Sequence, residues 1–276
     1  MVKRNVFIKV LLFVWMFLVL TIIAATANTQ GVIIGSLSSD EIQQIGQRVF
    51  ENECSAKDKN LIVWNEGEDF LSLGIGHFIW HPANSKIIFE ESFIKFIEYA
   101  KASGEKIPLW LDKKSIPACP WSSRDDFLNA QSDSRLMELK NFIIKTKTAQ
   151  ATFIVKRLEE SLLLILKNIP EGTRDKISSQ FSRVASSPSG IYALADYVNF
   201  KGLGISPAES YQGKGWGLLQ VLEEMKSENE VPDALEEFTR SANMVLENRV
   251  KNSPASRNEI KWLKGWQNRV NSYIKK

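Results

Sequence analysis

Histidine and cysteine are scarce: the 276-residue chain contains two of each. Two cysteines exclude a disulfide-dense scaffold. His77 and His81 stand four apart, a spacing that suits a metal pair on a helix, but no third ligand follows at metal-site spacing. No metal and no other cofactor is expected. Net charge is small as well. The chain is +3, and Lys3, Arg4 and Lys9 of the first 27 residues account for all of it, so residues 28–276 sum to neutrality. That balance gives no reason to expect a nucleic-acid partner. A phosphate-binding or dinucleotide loop is also missing, because the glycine-rich run Gly213 to Gly217 lacks both the preceding strand and the required pattern.

The long apolar run that is present lies at the start. A basic beginning, the uninterrupted Val10 to Ala24 and the small-residue site Ala25-Thr26-Ala27 form an export signal, with an uncleaved membrane anchor as the alternative. The protein is therefore expected to be exported, periplasmic or secreted, or tethered to an inner membrane by residues 1–27. Residues 28–276 are expected to form a single domain. In an oxidising compartment Cys54 and Cys119 either bridge, closing a loop worth about 4 kcal/mol in the chain-entropy model, or remain two unrelated buried thiols. Charge is uneven within the domain, with eight basic residues against Glu259 from Arg249 onward. Such an end suits an anionic polymer or membrane surface, or simply a solvated helix face.

Both histidines fall in Trp64 to His81, together with three acids and three glycines. Ser38-Ser39-Asp40-Glu41 starts a helix leading to this stretch. On its wheel Glu53 shares a face with Ile42, Ile45 and Val49, opposite Glu51. A carboxylate on an apolar face is costly unless it is protonated, paired or set at the wall of a cleft. It is thus either a candidate general acid or an ion-pair partner of an arginine such as Arg48 or Arg240. Leu61 to Trp64 and Phe70 to Ile75 read as strands around a polar turn, Asn65 to Asp69. Gly74 and Gly76 bracket Ile75 where the backbone bends or is approached closely.

The remainder reads as mostly helical. Segments over 89–103, 123–130, 135–167 with a break near Lys145–Thr148, and 171–185 are expected to pack. A further helix ends at Gly202, and Ser206 to Glu209 is a capping box. The loop Tyr211 to Gly217 combines Tyr211, Gln212 and Trp216, residues that suit a glycan wall or a tight turn burying the tryptophan. Two helices, Pro232 to Lys251 and Ser256 to Lys276, close the chain. Trp262, Trp266 and Arg269 on the last are read as packing.

The run Leu71-Ser72-Leu73-Gly74-Ile75-Gly76-His77, preceded by an acidic turn and a helix bearing a glutamate, resembles the phage-type lysozyme motif. Asn199-Phe200-Lys201-Gly202 followed by a glycine loop is similar to the second half of lysozyme-like domains. The resemblance implies an α+β, mostly α fold: a small β-hairpin lobe plus a large helical lobe, with a long helical insertion over about residues 100–185. It implies a glycoside hydrolase cleaving β-1,4 links in peptidoglycan or a related amino-sugar polymer. Glu53 would be the general acid. Glu66 would stand at the place of the second acid, with Glu68 and Asp69 as substitutes, and Ser72 at that of the threonine holding water. His77 would be a structural contact at the substrate site, joined by Asn199, Tyr211, Gln212 and Trp216. This chain departs from the motif in having Glu for Asp, Ser for Thr, and thirteen residues from Glu53 to Glu66. The alternatives are a non-catalytic glycan-binding envelope protein, a lytic transglycosylase, or a chitosanase-like enzyme.

Overall fold

The structure, a computed structural model, describes residues 37–83, 85, 87, 90–226 and 233–275. The expected export signal lies outside them. Helix α1 (Ser39–Cys54) opens with a capping box, Ser38 Oγ accepting from the Glu41 amide while the Glu41 carboxylate accepts from the Ser38 amide. Three short strands follow: β1 (Ile62–Val63), β2 (Leu71–Leu73) and β3 (Phe78–Trp80). They form an antiparallel sheet in the order β1-β2-β3, with Ser72 opposite Val63 on one side and Ile79 on the other. The third strand occupies the segment between the two histidines, so His77 and His81 flank a strand and share no helix face.

The other elements are helices α2 (Ser92–Ala102), α3 (Arg124–Asn129), α4 (Ser134–Lys145), α5 (Lys147–Asn168), α6 (Glu171–Val184) and α7 (Pro188–Lys201). A two-stranded hairpin, β4 (Ser210–Tyr211) and β5 (Lys214–Gly215), precedes α8 (Leu218–Glu224), α9 (Ala234–Asn252) and α10 (Ile260–Asn271). The fold is α+β and predominantly helical. The expected break near Lys145–Thr148 is Thr146, whose hydroxyl bonds back to the Phe142 carbonyl at 2.8 Å, a local alternative to the helical ladder. No helix among the described residues is long and apolar enough to cross a membrane.

Aromatic side chains fill the space between sheet and helices. Phe78 stacks on Phe96 at 5.1 Å and meets Phe153 edge-on at 5.4 Å, while Trp80, fully buried, lies 4.8 Å from Phe93. The loop after α2 folds over this cluster, with Trp80 Nε1 donating to the Pro117 carbonyl at 3.1 Å and Trp121 edge-on to Trp80. Helix α5 packs against α1, α2, α6 and α7. The middle helices expected as an insertion therefore supply a central strut of the fold, because α5 carries Phe153, Ile154, Val155 and Leu158 into the core.

Cys54 and Cys119 are both buried and unbridged, which settles the disulfide alternative in favour of separate thiols. Burial first, with a nearby carboxylate adding to it, pushes each thiol up to about 12. The native protein at about pH 8 is therefore expected to react with iodoacetamide roughly a thousandfold more slowly than the urea-unfolded chain, since the thiolate is the nucleophile. Mass spectrometry after timed quenching checks this; alkylation of native Cys54 at the unfolded rate would contradict it.

Lys201 ends α7 with its ammonium 3.4 Å from the Trp266 ring centroid and 4.0 Å from that of Phe200. The rings favour the charge, yet burial, with Arg249 adding repulsion, outweighs them and brings the group down to about 6. Between that value and the ordinary lysine range the unfolded chain binds the extra proton, so stability rises with pH. Relative to Lys201→Met, the wild type is expected to gain roughly 2–3 kcal/mol between about pH 7 and 9. Urea titrations at the two pH values test the sign; a difference independent of pH would refute it.

Candidate active site

The last turn of α1 brings Glu53 to the wall of a cleft, where its side chain retains 16% exposure. Its Oε2 lies 3.4 Å from His77 Nδ1, and its Oε1 accepts a hydrogen bond from Arg269 on α10. The same guanidinium grips Asp196 of α7 through two bonds, Nε to Oδ2 at 3.0 Å and Nη2 to Oδ1 at 2.8 Å. Tyr273 adds a third donor, its hydroxyl 2.6 Å from Asp196 Oδ2. Burial opposes the charge on Arg269, but the bonds and attraction to Asp196, then Glu53, more than offset it and raise its pKa. Burial, then the charge on Asp196, raises the Tyr273 hydroxyl well above the ordinary tyrosine value. One guanidinium therefore serves two carboxylates. Asp196 is 1% exposed and saturated with donors, whereas Glu53 is the acid that a ligand in the cleft can reach.

His77 is held by the turn before it. Gly74 adopts φ +76°, and a Cβ there would come within 2.4 Å of Gln150 Oε1. That oxygen accepts from the Ile75 amide at 2.8 Å, while Gln150 Nε2 donates to the Ile143 carbonyl at 2.7 Å and to Thr146 Oγ1 at 3.1 Å. The buried amide of α5 thus pins the glycine turn. His77 itself sits at φ 46°, in the left-handed region that a non-glycine residue seldom occupies, an observed strain at the residue facing Glu53.

Two adjoining cavities make the cleft. One, about 510 Å³, is lined by Glu53, His77, Asn199, Phe200 and Arg269 among others. The other, about 540 Å³, is lined by Glu68, Asp69, Ser72, His77 and Asn199 among others. Glu53 and Ser72 therefore line adjoining cavities that share His77 and Asn199. Glu66 is placed elsewhere: it is exposed and lines a separate cavity beneath β1, because the turn at Gly67 (φ 82°) reverses the chain after it. Glu68 and Asp69 face the cleft instead. The Glu68 carboxylate accepts from Asn65 Nδ2 at 3.0 Å, and its carbonyl accepts from Trp64 Nε1 at 2.7 Å.

Tyr211, Gln212 and Trp216 do not form a glycan wall. The glycine-rich segment is the β4–β5 hairpin, and it faces the chain's C-terminal helices. Tyr211 donates to Glu259 Oε1 at 2.8 Å, Gln212 donates to the Asn252 carbonyl at 3.2 Å, and Trp216, 6% exposed, lies under the Arg249 guanidinium at 4.0 Å. The buried Arg249–Glu259 pair draws both aromatics inward, away from the cleft.

Asp196 and Gln150 do not stand out in the sequence as site residues, and Arg269, read from it as packing, is instead the ion-pair partner of Glu53 and Asp196. A signal existed for two of them: Asp196 is a lone acid in the apolar run Ile191 to Val198, and Arg269 a lone base in the stripe Trp266, Arg269, Val270, Tyr273. A buried acid and a buried base on separate apolar faces call for each other. Cys54 Sγ also lies 3.9 Å from His77 Nε2, completing a thiol–imidazole–carboxylate line with Glu53. The thiol is fully buried at the carbonyl end of α1 and protonated, the reverse of an activated nucleophile. Among the described residues no group of three or more potential metal ligands occurs. Comparison of the chain with protein-family models, with curated proteins and with solved structures found no match in any of the three.

Proposed function

We propose that the protein is a lysozyme-like glycoside hydrolase that cleaves β-1,4 links of peptidoglycan or a related amino-sugar polymer. The observation that carries the reading is Glu53: a carboxylate at a cleft wall, sharing one guanidinium with a second, fully buried acid. Arg269 bonds both carboxyl groups, and Glu53 is the one of the two that faces the cleft. Glu53 would then protonate the glycosidic oxygen as the bond to the anomeric carbon breaks. Asp69 and Ser72 line the adjoining cavity and are suited to hold the attacking water, with Glu68 kept in place by Asn65. Glu66 has no part in this arrangement. His77 holds Glu53 from the side opposite Arg269, and Asn199 provides an amide to both halves of the cleft.

The test is incubation of the full-length protein with purified peptidoglycan, followed by mass spectrometry of the soluble products. Fragments with reducing ends are the expected result. Anhydro ends would replace hydrolysis with transglycosylation, for which Glu53 alone suffices. Glycan that is bound across about pH 4–8 and never cut would overturn catalysis and leave a glycan-binding groove.

A further inference from the structure

We infer that the cavity beneath β1 binds an acidic peptide branch of the polymer held in the cleft, an inference that rests on the glycan reading above. This cavity, about 660 Å³, lies between β1 and the helices α3 and α4, within the size range of small-ligand sites. Its floor is apolar, built by Leu61, Ile62 and Phe127, which are 1%, 7% and 5% exposed. Its rim is apolar too, since Leu128 and Ile144 line it while remaining 45% and 38% exposed.

Three cations, Lys59, Arg124 and Lys140, line the same space. Of the two acids there, Asp58 is engaged by Lys147 at 2.6 Å, which leaves Glu66 to face them. Arg124 Nε donates to the Trp64 carbonyl at 3.1 Å, fixing the guanidinium against the hairpin and leaving its Nη groups for a ligand. An uncharged sugar needs no such excess of cations. A peptide with small side chains and free carboxylates matches both the apolar floor and the charge. Among the described residues β1 is an edge strand paired only with β2, so its outer backbone suits an extended peptide. Asn65 lines this cavity and the one holding Ser72, so a branch leaving the cleft passes directly from one to the other.

The probe is the peptide N-acetyl-Ala-γ-Glu-Ala, which has two free carboxylates and no amine, titrated calorimetrically into the full-length protein. Saturable binding is expected, weakened at least tenfold in Lys59→Gln/Lys140→Gln and unaltered in Lys156→Gln/Lys167→Gln, a charge-matched control on exposed α5 surface. Melting curves matching the wild type would confirm that the double variant is folded. Absent binding, equal binding by the double variant, or binding of poly(glycerol phosphate) in place of the peptide would each overturn the assignment. Cleavage of glycan stripped of its peptides tests the hydrolase reading by itself, so the two can fail separately.

Discussion

Arg269→Met is expected to destabilise the protein by about 3–5 kcal/mol, a large share of the roughly 5–15 kcal/mol that holds a domain folded. The reason is what remains behind. Asp196 is 1% exposed and would keep only the Tyr273 hydroxyl, leaving a buried carboxylate without its counter-charge. Glu53 would lose the same partner, but at 16% exposure it can recover water. Most of the loss should therefore trace to Asp196. Removing both charges, in Arg269→Met/Asp196→Asn, is expected to restore a substantial part of it, because a missing pair costs less than half of one. Urea denaturation of the wild type, both single variants and the double variant measures the coupling. A loss under about 1 kcal/mol in Arg269→Met would place the cluster with ordinary surface pairs and refute its structural role.

Glu53→Gln is expected to do the opposite: little to the fold and almost everything to the reaction. The Arg269–Asp196 bonds survive the change, and the new amide oxygen can still accept from Arg269. Stability should move by no more than about 1 kcal/mol. An amide cannot deliver a proton to a leaving oxygen, so product release should fall roughly a hundred- to ten-thousand-fold. Rates of muropeptide release at equal protein concentration, with melting curves alongside, separate the two effects. A variant as active as the wild type would remove Glu53 from the chemistry and with it the hydrolase reading. Paired with the arginine result, the two substitutions divide the cluster into an acid that works and an ion pair that holds.

The strain at the site has a similar division of labour. The Gly74–Gly76 turn is local in sequence, and its need for glycine follows from the positive φ and the close approach of Gln150. Gln150 itself comes from α5, 75 residues further along, on a helix that the sequence presented only as packing. The middle of the chain is therefore tied to the site by a buried amide as well as by apolar area.

Local signals in the sequence determined most of the elements. Ser38 and Glu41 start α1, Thr146 divides α4 from α5, Gly202 stops α7, and Gly217 precedes α8, each through capping or backbone chemistry that needs no distant partner. The wheel of α1 placed Glu53 on its inner face because helical periodicity is an intrinsic property of the segment. Which cation meets that acid was decided only by the packing of α1, α7 and α10, which brings Arg269 to Glu53 across 216 residues where a nearer arginine was expected. Which acid of the turn faces the cleft was decided by the reversal at Gly67, which sends Glu66 to one side and Glu68 and Asp69 to the other. The aromatics of the glycine loop likewise turned inward once Arg249 and Glu259 paired beneath them. In each case the chain's own periodicity names the candidates, and long-range packing and charge pairing choose among them, because a buried charge takes the partner that the whole fold delivers.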